Sequence, residues 1–158
     1  MAAGKTTIGF KLAQKLKYHF IDIDQEIEKF EKEKIIDIFQ TKGEEYFRKI
    51  EEKTTLKKLK LNSTVISLGG GAFANKNIRN EVLKNHYSFW LNWNEKILIE
   101  RIKNSKKRPL TINATDSDLI DLIKKRTNIY SKALYEIKCD NLGKDEIVGK
   151  IKEIYETN

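Results

Sequence analysis

The chain of 158 residues has little of what cross-links small proteins: one cysteine, two histidines and one proline. Cys139 has no second cysteine to pair with, which excludes an internal disulfide. His19 and His86 are too far apart in sequence to form, with that cysteine, a cluster with zinc-ligand spacing. Redox chemistry and a structural metal are therefore not expected.

Long apolar runs are absent as well. No stretch approaches the roughly 20 apolar residues of a membrane-spanning helix, and the first residues lack the basic-then-apolar pattern of a signal peptide. We therefore expect a cytoplasmic protein with no membrane partner. With 39% hydrophobic residues, the chain is long enough for one domain with a real core, which we assign to residues 1–158.

Arginine is scarce, because it accounts for only five of the 31 basic residues. A guanidinium group is planar and can donate two parallel hydrogen bonds to one carboxylate or phosphate, which an ammonium group cannot do. In a chain whose ordinary cation is lysine, each arginine is thus a candidate for anion recognition, with a structural ion pair as an equally weighted alternative. The five are Arg48, Arg79, Arg101, Arg108 and Arg126.

The formal net charge of +8 raises the question of nucleic-acid binding. The lysines are interspersed with acidic residues, as in segments 26–34 and 49–60, which is typical of solvated helix faces and not of one basic stripe. We expect no nucleic-acid partner.

Short apolar runs alternate with amphipathic stretches along the chain. The runs at residues 19–23, 64–68, 87–91 and 135–139 are predicted strands, and the stretches between them are predicted helices. This alternation predicts an α/β fold with three layers, in which helices cover both faces of a mainly parallel sheet. The polar segment 104–116, which contains Pro109, is the predicted mobile loop.

The first residues match the end of the phosphate-loop pattern GxxxxGK[ST], with Met1 to Thr6 supplying its last six positions. In such a loop, backbone N–H groups surround the phosphates of ATP, the lysine reaches the terminal phosphates and the hydroxyl residue binds Mg²⁺. The first glycine and the preceding strand are absent, and the short Gly-Lys-Thr sequence also occurs at ordinary helix starts. The pattern indicates ATP and Mg²⁺ as ligands of Lys5 and Thr6.

Asp22 and Asp24 stand two residues apart at the end of the strand predicted at 19–23. Alternate residues of a strand face the same way, and ligands bind at the carboxyl ends of strands in open α/β sheets. One carboxylate could accept a proton from a substrate hydroxyl or hold Mg²⁺, while the other accepts hydrogen bonds from a polyol. For Asp24, a helix N-cap is an equally weighted alternative.

Three glycines, Gly69 to Gly71, follow the strand predicted at 64–68. Consecutive glycines weaken regular structure, so we interpret them as a site where the backbone approaches a ligand closely. A plain flexible turn is the alternative.

In this order and spacing, the motifs resemble the shikimate kinase family. The resemblance runs from residue 1 to about residue 135. It rests on Gly4-Lys5-Thr6, Asp22-Ile23-Asp24, residues 43–48 continuing to Glu51-Glu52, Ser67 to Gly71, Lys107 to Leu110, and Arg126 before Tyr130. It implies a nucleoside-monophosphate-kinase-like fold whose sheet has five parallel strands, the first of them missing here. It also implies transfer of the γ-phosphate of ATP to the 3-hydroxyl of shikimate.

The resemblance also implies site residues. Catalysis would use Lys5, Asp22 and Arg108, and Mg²⁺ would be held by Thr6 and Asp22. Shikimate would be bound by Asp24, Arg48, Gly69, Gly70, Gly71 and Arg126. Phe39, Phe47 and Glu51 would line or brace the pocket. Residues 24–60 would form a substrate-binding helical segment. ATP would contact Ala2, Ala3, Gly4, Lys5, Thr6, Thr7, Arg101 along the adenine, and Arg108 from a lid at residues 104–116.

Two alternatives to a shikimate kinase stay open at this point. One is another small-molecule phosphate-loop kinase such as a gluconate kinase, and the other is a degenerate relative that binds a ligand without transferring phosphate. Family members often have a methionine inside the phosphate loop, where Met1 stands, so we expect Met1 to be internal and the true start to lie upstream. We expect a monomer.

Overall fold

The computed structural model describes residues 2–104 and 114–158, in which helices and strands alternate as the sequence predicts. The helices are α1 (Lys5–Leu16), α2 (Ile23–Glu31), α3 (Ile35–Thr41), α4 (Gly43–Leu59), α5 (Lys76–Asn85), α6 (Glu95–Lys103), α7 (Asp116–Tyr130) and α8 (Lys144–Thr157). The strands are β1 (His19–Asp22), β2 (Thr64–Ser67), β3 (Phe89–Asn92) and β4 (Tyr135–Lys138), and a 3₁₀ turn spans Ala72–Ala74.

The four strands form two parallel pairs. In the first, His19 of β1 is opposite Thr64 of β2 and Asp22 is opposite Ser67. In the second, Phe89 of β3 is opposite Tyr135 of β4. Each parallel pair is connected by a crossover that contains helices, as parallel pairing requires.

The two pairs are separate two-stranded sheets. A cavity of about 490 Å³ is lined by residues of β2 and β3 and by Ile8 and Leu12 of α1. Within the described residues, no strand is hydrogen-bonded between β2 and β3.

The phosphate-loop helix α1 is held by an apolar core. Its residues Ile8 and Leu12, four apart and therefore on one face, are both less than 10% exposed. They belong to a cluster that includes Leu91 of β3 and Ile147 and Ile151 of α8. A stripe of apolar residues at helical spacing thus fixes the helix whose first turn follows the phosphate loop.

A second core supports the predicted substrate segment at residues 24–60. Ile23 and Ile27 of α2, Ile38 of α3 and Phe47 of α4 form one buried cluster. Each side chain is at most 4% exposed. The three helices therefore pack as a unit beside β1, although nothing in the fold separates residues 24–60 as a domain of their own.

The loop predicted at 104–116 ends one residue earlier than expected, at Thr115. Thr115 caps α7 through a reciprocal capping box with Asp118, so the helix begins at Asp116. Residues 105–113 lie outside the described residues. None of the helices within 2–104 and 114–158 is both long and apolar enough to cross a membrane.

Candidate active site

The phosphate loop leads into α1 through a left-handed turn. Gly4 has φ 81° and ψ 17°, a conformation that favours glycine, and its carbonyl oxygen accepts a hydrogen bond from the Ile8 amide at 3.0 Å. Within the described residues, no side chain caps α1 and its first turn carries no acidic residue. The first-turn amides and the positive end of the helix dipole therefore suit an anion such as a phosphate.

A pocket of about 280 Å³ lies at this helix start. Its walls join the loop to the ends of β1 and β2 and to α2. The lining residues are Ala2, Ala3, Gly4, Lys5, Thr6, Thr7, Asp22, Asp24, Ser67 and Leu68. All predicted phosphate-loop residues within the described part of the chain thus meet both predicted aspartates in one pocket.

Asp22 is fixed by three hydrogen bonds and is 9% exposed. Its Oδ2 accepts from the Thr6 hydroxyl at 2.6 Å, and its Oδ1 accepts from the amides of Asp24 at 3.0 Å and Gln25 at 3.3 Å. Asp22 is therefore the N-cap of α2, and the alternative that assigned this role to Asp24 is wrong. Asp24 lies in the first helical turn, so the two aspartates share a pocket through a strand-to-helix turn and not through strand alternation.

Thr6 and Asp22 place a hydroxyl and a carboxylate side by side, which are oxygen donors that suit Mg²⁺. Mg²⁺ binds proteins through one or two carboxylates and completes its octahedron with water and substrate phosphates. Among residues 2–104 and 114–158 there is no cluster of three or more His, Cys, Asp or Glu side chains that could hold a metal alone. One hydroxyl and one carboxylate beside a phosphate pocket fit a metal that arrives with the nucleotide.

Arg48 on α4 is held by two carboxylates. Its Nη1 donates to Glu51 Oε2 at 2.7 Å, and its Nε and Nη2 donate to Glu44 Oε1 at 3.1 and 2.9 Å. The guanidinium also lies 5.3 Å from the ring centre of Phe47 and 6.0 Å from that of Phe39. These contacts restrict the guanidinium to one orientation before any ligand binds.

Glu51 is the most deeply buried charged side chain of the site, with 2% of its surface exposed. Burial raises the pKa of its carboxyl group, and the positive charges of Arg48 and Arg126 act in the opposite direction. Its Oε1 has no hydrogen-bond partner in the described part of the chain. The electrostatic influence of Arg126 and Asp24 on Glu51 indicates that all four side chains belong to one charged cluster.

The glycine triplet makes room for this cluster. A Cβ on Gly69 would lie 2.7 Å from Asp24 Oδ1 and would also collide with Glu51, and a Cβ on Gly71 would lie 2.5 Å from Arg48 Nη1. Gly70 accepts a hydrogen bond on its carbonyl oxygen from the Tyr130 hydroxyl at 2.5 Å. The groups that lie close to Gly69 and Gly71 in the structure are the chain's own charged side chains, and the predicted approach of a ligand to these glycines stays a prediction.

The remaining arginines differ in role. The Arg101 guanidinium lies 3.9 Å from the ring centre of Trp93. Arg79, to which the family resemblance assigns no ligand, donates through Nη1 to the carbonyl oxygens of Phe73 and Ala74 at 3.0 Å and so closes the 3₁₀ turn. Arg108 lies outside the described residues.

Sequence reasoning missed three contributors to the site. The pairing of Glu44 with Arg48 could have been found, because residues four apart on a helix lie side by side. Trp93 and Tyr130 act across 90 and 60 residues of sequence, to Ala3 and Gly70, and no local pattern reports such contacts.

Comparison with known proteins decides the family. The sequence profile described as shikimate kinase matches residues 1–156. The chain belongs to the shikimate kinase family. This membership confirms the predicted class of enzyme, an ATP-dependent kinase of aromatic amino acid biosynthesis.

Curated shikimate kinases align over nearly the whole chain. The enzyme of Persephonella marina is 38% identical, with 96% of this chain and 94% of the relative covered. That of Bacillus subtilis is 39% identical, with 97% and 83% covered.

Solved structures of shikimate kinases share the fold. The enzyme of Acinetobacter baumannii in complex with shikimate has a TM-score of 0.93 and 30% identity, covering 100% of this chain and 89% of that one. The enzyme of Aquifex aeolicus has a TM-score of 0.88 and 35% identity, covering 99% and 92%. The predicted α/β phosphate-loop kinase fold is thereby confirmed.

Proposed function

We propose that this protein transfers the γ-phosphate of ATP to the 3-hydroxyl of shikimate, which yields ADP and 3-phosphoshikimate. One observation carries the proposal. Asp24 lines the phosphate pocket and also lies, with Glu51, next to Gly69. The phosphate pocket and the charged cluster of Asp24, Arg48, Glu51 and Arg126 are therefore adjacent. An acceptor bound by the cluster can thus present a hydroxyl group to the phosphates.

On the phosphate side, Lys5 and the backbone amides at the start of α1 bind and orient the triphosphate. Phosphoryl transfer demands little covalent chemistry from a protein, so positioning and positive charge supply most of the acceleration. Thr6 and Asp22 would hold Mg²⁺, which would supply positive charge at the phosphate oxygens. Asp22 is also the carboxylate that accepts the proton of the attacking hydroxyl group.

On the acceptor side, Arg48 and Arg126 bind the carboxylate of shikimate and Asp24 accepts hydrogen bonds from its hydroxyl groups. Arg48 is suited to this role because Glu44 and Glu51 already hold its guanidinium in place. The backbone at Gly69 to Gly71, which lies against Asp24, Glu51 and Arg48, also contacts shikimate.

The remaining parts of the proposal rest on the sequence resemblance. Arg108 comes from the segment 104–116, which closes over the phosphates, adds positive charge at the γ-phosphate and excludes water. Arg101 lies along the adenine. Residues 24–60 are the substrate-binding segment, and a cytoplasmic location and a monomeric state complete the proposal.

A panel of acceptor acids tests the substrate. ADP release with MgATP is measured for shikimate, quinate and gluconate, with the parent protein and with the variants Arg48→Lys, Arg126→Lys and Arg79→Lys. We expect ADP release with shikimate. The KM for shikimate should rise strongly in Arg48→Lys and Arg126→Lys, because an ammonium group cannot bind a carboxylate at two points. The KM should not change in Arg79→Lys, because the Arg79 side chain bonds the backbone carbonyls of Phe73 and Ala74. Preference for gluconate, or equal effects in all three variants, would refute the assignment.

A further inference from the structure

Trp93 occupies a short connection that is fixed on both sides. It follows β3 directly, and the next residue, Asn94, caps α6 by accepting a hydrogen bond from the Lys96 amide at 3.0 Å. The Asn94 amide itself donates to Asp140 Oδ1 at 2.8 Å, which ties the connection to the segment after β4. With its backbone anchored in this way, the position of the Trp93 side chain is well defined.

The indole of Trp93 makes two contacts with different parts of the ring. Its single donor, Nε1–H, bonds the carbonyl oxygen of Ala3 at 3.0 Å. Its face carries the Arg101 guanidinium, 3.9 Å from the ring centre. Tryptophan is the best partner for a cation–π contact, and because the N–H lies in the ring plane while the cation sits above it, one side chain serves both.

The bond to Ala3 acts on the phosphate loop. Ala3 immediately precedes the left-handed Gly4 and lines the phosphate pocket. The peptide bonds of the described residues are all trans, and in a trans peptide unit the C=O and N–H point in opposite directions. By holding the Ala3 carbonyl, the indole fixes the direction in which the Gly4 amide points, and this amide is one of the loop donors available to a phosphate.

We propose that Trp93 is a positioning residue for the nucleotide, linking the phosphate loop to the guanidinium that faces the adenine. This inference rests on the ATP role assigned above to the loop and to Arg101. Trp93 also packs partly against the core under α1, so a purely structural role is the competing explanation. The two explanations differ because only positioning predicts separate losses for the phosphates and for the base.

The two contacts can be separated by substitution. Trp93→Phe keeps an aromatic face for Arg101 but removes the N–H donor, whereas Trp93→Leu removes both. Trp90→Phe is the matched control, because this tryptophan lies three residues earlier, within β3 and opposite Glu136 of β4, whereas the contacts with Ala3 and Arg101 are made by Trp93. Binding of ADP and of inorganic tripolyphosphate to the full chain is measured by titration calorimetry.

We expect Trp93→Phe to lower the affinity for tripolyphosphate and for ADP equally, by about 3- to 10-fold, which corresponds to the loss of one hydrogen bond. Trp93→Leu should lower the affinity for ADP by about a further 3-fold or more, which corresponds to the loss of an exposed cation–π contact. Its affinity for tripolyphosphate should equal that of Trp93→Phe. Trp90→Phe should bind both as the parent does. In Trp90→Phe, Trp93 is the sole tryptophan, and its fluorescence should change on ADP titration.

Equal affinities of parent and Trp93→Phe for both ligands, or losses in Trp93→Leu that do not distinguish ADP from tripolyphosphate, would overturn the proposal. A lowered melting temperature with unchanged ligand affinities would establish the structural role instead. If Trp93→Leu does not fold, Arg101→Leu replaces it and should lose ADP affinity while it keeps tripolyphosphate affinity. A parent protein that binds ADP but does not phosphorylate shikimate would refute the proposed function and leave this inference intact.

Discussion

Replacement of Gly71 by alanine isolates the role of the Arg48 guanidinium. Gly71 has φ −115° and ψ −11°, which alanine adopts without strain, so the backbone need not change. The added Cβ would lie 2.5 Å from Arg48 Nη1 and 2.9 Å from its Cζ. Since ordinary contact begins at 3.4 Å, the guanidinium must move by about 0.9 Å.

The size of the effect follows from what this movement breaks. Nη1 is the atom that bonds Glu51 at 2.7 Å, and a hydrogen bond to a charged group contributes about 1.5–3 kcal/mol. A displacement of this size also removes the two-point fit to a carboxylate. We therefore expect Gly71→Ala to weaken shikimate binding by at least about tenfold, while ADP binding, which uses the phosphate loop, stays within about twofold of the parent.

Titration calorimetry with shikimate and, separately, with ADP measures both quantities. Gly149→Ala is the matched control, because Gly149 lies in α8 with no atom within 4 Å of an added Cβ. That variant should bind both ligands normally and melt at a higher temperature, since glycine inside a helix costs about 0.5–1 kcal/mol relative to alanine. Unchanged shikimate affinity in a folded Gly71→Ala protein would refute the assignment of Arg48 to the acceptor carboxylate.

Three further predictions concern other parts of the molecule. Arg108→Ala should lower kcat far more than it weakens shikimate binding, because its charge acts on the γ-phosphate; steady-state kinetics showing an unchanged kcat would exclude this role. Burial raises the pKa of Glu51 above its ordinary value of 4.5, so the folded state holds this proton more firmly than the unfolded chain does. As the pH rises from about 4.5 towards neutrality, the parent should therefore lose stability relative to Glu51→Gln in urea unfolding. A stability difference that does not depend on pH would contradict the raised pKa of Glu51. The buried thiol of Cys139 has its pKa raised to about 11, mainly by desolvation, so it should react with a thiol reagent at pH 8 only after unfolding; rapid labelling of the native protein would show that this part of the core opens.

Most of the fold could be predicted because its signals are local. The apolar spacing of α1 and the short apolar runs at β1 to β4 each report their own burial, and alternation of the two kinds of element fixes an α/β class. Boundaries were less certain, since they depend on caps. Asp22 ends β1 and caps α2 with one side chain, so the predicted strand at 19–23 was one residue too long.

The structure brings the predicted phosphate-loop residues together with Asp22 and Asp24, whereas the roles of these residues toward ligands stay predictions. The residue types of Thr6, Asp22, Arg48 and the glycine triplet indicate phosphate and carboxylate chemistry in sequence alone. That Gly69 and Gly71 leave space for Asp24, Glu51 and Arg48 depends on how α2 and α4 pack, which sequence spacing does not encode. The link from Trp93 to Ala3 likewise exists only after the chain has folded.

The proposed reaction is phosphoryl transfer from ATP to the 3-hydroxyl group of shikimate. It is tested by ³¹P nuclear magnetic resonance of the full chain with MgATP and shikimate, in which coupling of the new phosphorus signal to the proton on C3 of the cyclohexene ring locates the phosphate ester. We expect ADP and 3-phosphoshikimate to appear in equal amounts and only when shikimate is present. ADP formed at the same rate without shikimate, or an ester on another hydroxyl group, would contradict it.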